Sequence, residues 1–334
     1  MAFWTPGFII NNKEGKQKME NGVAHSSSGR VAERKRHSFL VEAAIRLVKE
    51  KPLGTVGLVI TLLLLFTGIF ADFLAPYGLN ESHVADRLSP PSTTYWLGTD
   101  NLGRDVLSRV IFGARISVIV GLAATTISTL LATVEGIVSG YIGGKFDLIV
   151  QRFIDAWMSF PLLILFMVLI SYIGPGLWQI IIVLGIGVSI SHSRLIRSAV
   201  VSVKENVYVA AAVAIGCPTS RILSRHILPN IMATIIVLFS VTVPWMVLME
   251  ASLNFLGFGI PPPAPSWGGM LSGQGRSYMF QAPGMAIWPG LALAIVVYGV
   301  NMFGDALRDI LDPRLRGGMG RYGVRVKKES LNKK

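Results

Sequence analysis

The chain has a single cysteine, Cys217, in 334 residues, so no disulfide can form within it and no second cysteine is present for a metal cluster. Charge is scarce as well: Asp, Glu, Lys and Arg make up 15% of the residues against 51% hydrophobic ones, and the mean hydropathy is +0.55. That balance excludes an ordinary soluble domain and points to a polytopic membrane protein. Acidic side chains are fewer still, 19 against 31 basic ones, a net charge of +12. The excess gathers at the two ends and in one loop, a pattern of membrane topology rather than of a nucleic-acid-binding face. The basic run Arg34, Lys35 and Arg36 has no fold to display it and fits lipid head groups better than nucleic acid. No GxxxxGKS/T phosphate cradle, HExxH or GxSxG motif occurs, so the chain is not expected to hydrolyse ATP itself. The first long apolar stretch starts only after about fifty residues and lacks a small-residue cleavage pattern behind it, which predicts an uncleaved anchor.

Six stretches approach the roughly 20 apolar residues that a helix needs to cross a bilayer: about Leu53 to Ala71, Ile116 to Ile142, Phe153 to Ile173, Leu177 to Ser191, Ile231 to Phe255 and Trp288 to Gly304. The fourth is short and carries Gly185 and Gly187; it is either tilted or continues as helix past His192. Residues 1 to 37 are rich in Lys, Asn, Gly and Ser and read as a largely disordered tail. From Ser38 to Lys51 the apolar residues Leu40, Ala43, Ala44 and Leu47 share one helical face, predicting an amphipathic helix along the membrane surface. The membrane-spanning body then occupies 52–317, and 318–334 is a basic tail. Lys plus Arg number ten in residues 1–51, two just after the second crossing, five in 192–230 and nine from 305 onward, but only four in 72–115 and one in 256–287. By the positive-inside rule both termini and the 192–230 segment are cytoplasmic, and the two long loops are external.

The segment Tyr208 to Asn230, YVAAAVAIGCPTSRILSRHILPN, is out of place in such a protein. Ala210, Ala211, Ala212 and Ala214 favour a smooth-faced helix. Gly216 can stop it, Pro218 suits the first turn of a second helix, and Pro229 is expected to end that one. The small face suits insertion into a partner's groove, and nothing nearby in sequence is seen to cover Ile222, Leu223, Ile227 and Leu228. The plainer alternative is a self-contained loop. Before the second crossing, Gly98 and Gly103 permit tight turns, and Asp100, Arg104 and Asp105 can pair with each other and with the turn. Two carboxylates fall within crossings, where isolated charge is expensive. Glu135 lies about two turns from the cytoplasmic end and reaches the interface or a polar neighbour. Glu250 lines a pathway or pairs with a partner, with Asn254 one turn on. Arg194 and Arg197 read as interfacial anchors.

Four separated blocks, LGTDNLGRDVLSRVIFGARIS, YVAAAVAIG with RILSRHILPN, EASLNFLGFGIPPPAPSWGGML and GDALRDILDPRLRG, resemble in content and order the inner-membrane permease subunits of ABC importers for dipeptides and oligopeptides, of the C type. The resemblance covers about Pro52 to Gly317. It implies an all-α, six-crossing type I importer permease in the plasma (inner) membrane. Its partners would be a homologous second permease, two cytoplasmic ATPase subunits that carry ATP and Mg, an extracytoplasmic solute-binding protein and the lipid bilayer; this chain itself would carry no cofactor. The elbow would be the ATPase-coupling EAA loop, through Tyr208, Ala211, Ala212, Gly216, Arg221, His226, Leu228 and Pro229. Ala210 stands where the motif's Glu is expected, and Cys217 and Pro218 where Ala and Ser are common. Gly98, Thr99, Asp100, Gly103, Arg104 and Asp105 would belong to an external element on the binding-protein side, and Glu250 and Asn254 to the pathway or to subunit pairing. The implied cargo is a short peptide, with oligosaccharides, nickel chelates and glutathione as alternatives in the same class. An ion channel is the competing class, for which the elbow has no evident use.

Overall fold

The structure, a computed structural model, describes residues 39–82 and 86–311; the expected tails at 1–37 and 318–334 lie outside them. Among the described residues there is no β-strand, only a lone bridge between Thr99 and Asp105. From Ala43 onward the described residues form one compact unit. Helix α1 (Phe39–Glu50) is followed by α2 (Pro52–Ile69), the one-turn α3 (Ala71–Leu74), α4 (Val106–Ile142), α5 (Gly144–Met158) and α6 (Leu162–Ile173). Next come α7 (Leu177–Lys204), α8 (Val207–Ala214), α9 (Thr219–Ile222) with a π-turn at Leu223–Ile227, α10 (Leu228–Phe255), α11 (Trp267–Leu271), α12 (Gly273–Ser277) and α13 (Gly284–Leu311). Helices α2, α4, α7, the run Thr219–Phe255 and α13 are each long and apolar enough to cross a membrane, and α5 with α6 would make a sixth crossing.

The element expected as a crossing over Phe153–Ile173 is a broken one. It breaks between Met158 and Leu162 with a bend of 87°. Pro161 has no N–H to continue the ladder and disfavours helical geometry at Phe160, while the Ser159 hydroxyl donates to the Ala156 carbonyl and closes the last turn. Helix α6 alone has 12 residues, about 18 Å against a hydrocarbon core of about 30 Å. Helix α5 is clamped to α7 by ion pairs: Arg197 donates twice to the Asp147 carboxylate, and Arg194 pairs with Asp155. Arg194 and Arg197, expected as interfacial anchors, each pair with a carboxylate of α5. Helix α7 does continue past His192, to Lys204.

Lipid tails offer helices no hydrophobic reason to associate, so close packing depends on small residues that let backbones approach. Helix α4 makes its most extensive contact with α7. A Cβ at Gly136 would lie 2.7 Å from the Ser193 carbonyl and 2.9 Å from the Arg197 nitrogen, and one at Gly140 3.1 Å from the Arg197 carbonyl. Helix α2 approaches α13 in the same way: a Cβ on Gly57 would meet the Gly299 carbonyl and the Phe303 nitrogen, and one on Gly54 the Ala306 methyl. Lys51 and Asp309 join the far ends of these two helices at 2.6 Å. The bundle therefore has a loop end, where 75–105, 174–176 and 256–283 lie, and an elbow end, where α7 passes into α8. At the loop end Arg115 forks onto Asp72 at 2.7 and 3.2 Å, and this guanidinium holds the Asp72 carboxyl below the usual carboxylate range.

The α2–α13 contact yields a first test. Gly57→Val should destabilise the purified protein by about 1–3 kcal/mol through overpacking against backbone, whereas Leu63→Ala, exposed on the other side of α2, should stay within about 0.5 kcal/mol. Denaturant unfolding in detergent reads both, and equal stability of Gly57→Val and the parent would refute this packing.

Candidate functional site

At the loop end the chain turns twice on glycines with left-handed backbone, Gly98 at φ +79° and Gly103 at φ +67°, a conformation that a side chain would strain. Between them Asp100 gathers the turn. Its Oδ1 accepts from the Leu102 and Arg104 backbone N–H groups at 2.8 and 3.0 Å, its Oδ2 accepts from Arg104 Nε at 2.7 Å, and Arg109 Nε lies 3.6 Å away. Asp105 acts differently, as the N-cap of α4, where its carboxylate accepts from the Ser108 N–H and hydroxyl, both at 2.7 Å, offsetting the unpaired donors of the first turn. Thr99 donates to the Asp86 carbonyl at 2.7 Å and accepts from Ser89 N at 2.9 Å. The expected pairing of Asp100 with Arg104 is present. All six residues of this element, Gly98, Thr99, Asp100, Gly103, Arg104 and Asp105, are buried; they form the internal frame of the loop, and exposed apolar side chains beside them include Trp96 and Leu102.

The C-terminal end of α10 meets this frame. Glu250 is 0% exposed. Its Oε1 accepts from Asn254 Nδ2 at 2.5 Å, and Asn254 Oδ1 accepts from the Ile260 N–H at 2.6 Å, so the pair pins the following loop to the helix. In this chain Glu250 has no surface to offer a partner directly. Glu135, half-buried in α4, is met by the Ser189 hydroxyl of α7 at 3.5 Å, the polar neighbour that the sequence allowed.

The elbow end is built from α8 and the run that follows. Gly216 closes α8 as expected, at φ +76°, with Cys217 N bonded to Ala212 O and Gly216 N to Val213 O, the paired bonds of a Schellman ending. Pro218 sits at the N-cap of α9 rather than inside its first turn. Pro229 does not end the second helix. A π-turn over Leu223–Ile227, in which Leu228 N reaches Leu223 O, carries the helix into α10, and Asn230 Nδ2 covers the His226 carbonyl at 2.6 Å. The helix thus runs on through Pro229, which lacks the N–H for one ladder bond, with the π-turn just before it. Nor are the apolar residues of the second helix uncovered: Ile222 and Ile227 pack with Ile196, Val200, Val209 and Ala212, with Leu223 and Leu228 at the edge. What stays exposed is on α8 and at its end, with Val207 at 84%, Ile215 at 83% and Val213 at 54%. Of the expected coupling residues, Ala211, Gly216, Arg221 and Pro229 are exposed, Ala212 is buried, and Tyr208 lies against His226 with ring centroids 6.2 Å apart.

Two family models match this chain: the binding-protein-dependent transport system inner membrane component over residues 132–317, and the N-terminal TM domain of oligopeptide transport permease C over 38–91. The chain belongs to this permease family. It is 37% identical over 273 residues to the dipeptide transport system permease protein DppC of Alkalihalophilus pseudofirmus, covering 82% of this chain and 90% of that protein. To the oligopeptide transport system permease protein OppC of Bacillus subtilis it is 36% identical over 301 residues, 90% and 98% of the two chains. The glutathione transport system permease protein GsiD of Pectobacterium atrosepticum is 37% identical over 256 residues, 76% and 85%. The all-α fold of a type I importer permease follows, with the elbow and the Glu250–Asn254 pair inside the region matched by the first model.

The frame predicts an order of sensitivity. Asp100→Ala leaves two buried guanidinium groups without their carboxylate and should cost about 3–5 kcal/mol, against roughly 1 kcal/mol for Asp105→Ala, which loses an N-cap. Thermal unfolding of the two variants side by side checks this; a larger loss at Asp105 contradicts the role given to Asp100.

Proposed function

We infer that the chain is the membrane-spanning subunit of an ATP-driven importer of short peptides in the plasma (inner) membrane, with both termini cytoplasmic. The observation that carries this reading is relatedness over most of the chain to permeases named for dipeptide and oligopeptide transport. A relative named for glutathione keeps a small peptide-like thiol in view as cargo; oligosaccharides and nickel chelates remain alternatives within the class, and an ion channel is the reading from outside it. The domain limits follow: a tail at 1–37, an interfacial helix at 38–51, the permease body at 52–317 and a basic tail at 318–334.

In this mechanism the permease pairs with a homologous one, and two cytoplasmic ATPase subunits bind Mg and ATP and dock on the elbow. Helix α8 is the docking piece. Its base is fixed through Val209 and Ala212, so that an ATPase groove closing on Val207, Val213 and Ile215 would move α8 with the rest of the elbow. The continuous helical run from Thr219 to Phe255 would then transmit the motion, opening the bundle outward to accept solute from the binding protein by alternating access. The frame around Asp100 keeps the loops on that side in shape, with Trp96 and Leu102 as the surface offered to the binding protein.

Topology is tested by labelling. In a Cys217→Ser background, cysteines at Trp96 and at Ser220, both exposed, should react with an impermeant reagent from opposite sides of sealed vesicles; reaction from one side removes the proposed orientation. Coupling is tested at Gly216. A Cβ there meets nothing within 4 Å, so Gly216→Val acts through its left-handed backbone alone, a cost of about 1–2 kcal/mol. The variant should insert normally yet co-purify less ATPase or lose solute-stimulated hydrolysis, with Lys16→Ala as control. Normal coupling in Gly216→Val excludes this residue from the docking element.

A further inference from the structure

The outer sides of α2 and α13, which pack together, differ in kind. Every exposed residue of α2 is apolar, Leu53, Val56, Leu62, Phe66 and Ile69 among them, as a lipid-facing side must be, since hydrocarbon offers polar groups no partner. Helix α13 begins in the same way at the loop end, with Ile287, Leu291 and Ile295 exposed. Toward the elbow end the same face changes: Tyr298 is 67% exposed, and Asn301 and Asp305 are exposed as well. Their spacing of three and four residues sets them on one side of the helix, away from the buried Gly299, Val300 and Gly304. The Tyr298 hydroxyl and the Asp305 carboxylate have no partner among the described residues, and Asn301 turns its Nδ2 back onto the Val297 carbonyl at 2.8 Å. Depth makes this row costly. Asp309, joined to Lys51, marks the elbow end of the two helices. From there back to Asn301 is about 12 Å of helix, and to Tyr298 about 17 Å, at 1.5 Å per residue, so both lie within a hydrocarbon core of about 30 Å.

We propose that Tyr298, Asn301 and Asp305 form a docking face that packs, within the membrane, against a helix of the homologous second permease. That helix supplies a side-chain hydrogen-bond donor at the depth of Asn301 and a Lys or Arg opposite the Asp305 carboxylate. The naming of the partner rests on the importer reading: of the partners inferred above, only the second permease lies at this depth. The face itself rests on the contrast between α13 and α2. Lipid cannot satisfy three polar groups in one row, whereas side chains that bond across helices hold helices together where the hydrophobic effect does not. The exposed Ala294, one turn before Tyr298, is small enough to let a neighbouring helix approach. A water-filled path would need polar side chains along the whole face, and its loop-end half is apolar. The unpaired acid at the elbow end adds charge complementarity, which fixes which ends of the two helices meet.

The test uses the full-length permease co-expressed with the second permease and the ATPase subunits in native membranes. A photo-reactive benzoylphenylalanine in place of Tyr298 should cross-link to the second permease, identified by mass, and one in place of Leu62 on α2 should give lipid adducts. Lipid adducts from both positions, or a cross-link from Tyr298 to another copy of this chain, would overturn the proposal. Water is tested separately. In a Cys217→Ser background, Asn301→Cys should resist a hydrophilic thiol reagent in the assembled complex; ready labelling there would make the face part of a solute path and overturn the contact. Asn301→Leu should lower co-purification of the second permease about threefold, the scale of one hydrogen bond between membrane helices, with Leu62→Ala unchanged. Equal losses in these two variants would mean a general packing defect and would also overturn it. Absence of any second permease from the purified parent would remove the importer reading and with it the named partner, whereas lipid adducts from Tyr298 in an assembled complex would remove the docking face alone.

Discussion

The close contact between α4 and α7 is the constraint on which the rest of the molecule depends. With Gly136 and Gly140 set against the backbone of Ser193 and Arg197 and the side chains of Ile196 and Val200, α4 places no side chain of its own between the two helices there. Helix α4 is therefore a fixed post. Its first turn carries the frame around Asp100 and Asp105, and its other end, through Ser139 and Gly143, leads into α5. Helix α7 carries the groups that hold α5, namely Arg194 and Arg197, and then runs straight into the elbow. A side chain added at Gly136 would push apart elements that bear on both ends of the bundle at once, which is why small residues rather than large apolar ones mark this seam.

Much of this is legible in the chain. Five long apolar helices and the side-to-side charge bias can be read from composition and spacing, because a bilayer demands about 20 apolar residues per crossing whatever the tertiary context. The break at Pro161 is harder to see, although Ser159, Phe160 and Pro161 carry the signal of a helix end; the apolar run on both sides masks it. Asp147 and Asp155, eight residues apart on α5, are the other clue, since two carboxylates at that spacing call for partners on a neighbouring helix. Pro229 misleads in the opposite direction. Nothing in the sequence announces a π-turn, and the rule that proline ends helices is overridden by packing elsewhere too, since Pro244 and Pro289 also lie inside long helices.

At the site the residue types are informative and their orientation is not. Asp100, Arg104 and Asp105 invite pairing, and they do lie together, but charged side chains on a loop give no sign that they turn inward. Arg109 does not stand out in the sequence because it is one of several cations near the start of α4, and its burial emerges only when the end of α10 and the following loop close over it. Likewise Ile222 and Ile227 look stranded in the sequence because their cover, Ile196 and Val200, comes from the preceding crossing. The apolar surface left on α8 is set by which of its residues this cover reaches, a matter of three dimensions.

The run from Thr219 to Phe255 places the elbow and the Asn254 end on one helical rod of 37 residues, on the order of 55 Å long at 1.5 Å per residue. A displacement at one end of such a rod reaches the other unless the ladder gives way between. Two places can yield: the π-turn at Leu223–Ile227, and Pro244, which removes the bond to the Ser240 carbonyl. The second is braced. The Ser240 carbonyl lies against Gly304 of α13, where even a methyl would come within 3.1 Å, and Thr242 donates to the Leu238 carbonyl at 2.6 Å one turn away. Bending at Pro244 would have to move α13, and with it α2, while the π-turn is exposed on one side at Ser224 and Arg225 and held on the other by Ile222 and Ile227, which pack with Ile196 and Val200 of α7. The rod is therefore braced at both places where its ladder departs from regular α register, at Pro244 by α13 and at the π-turn by α7.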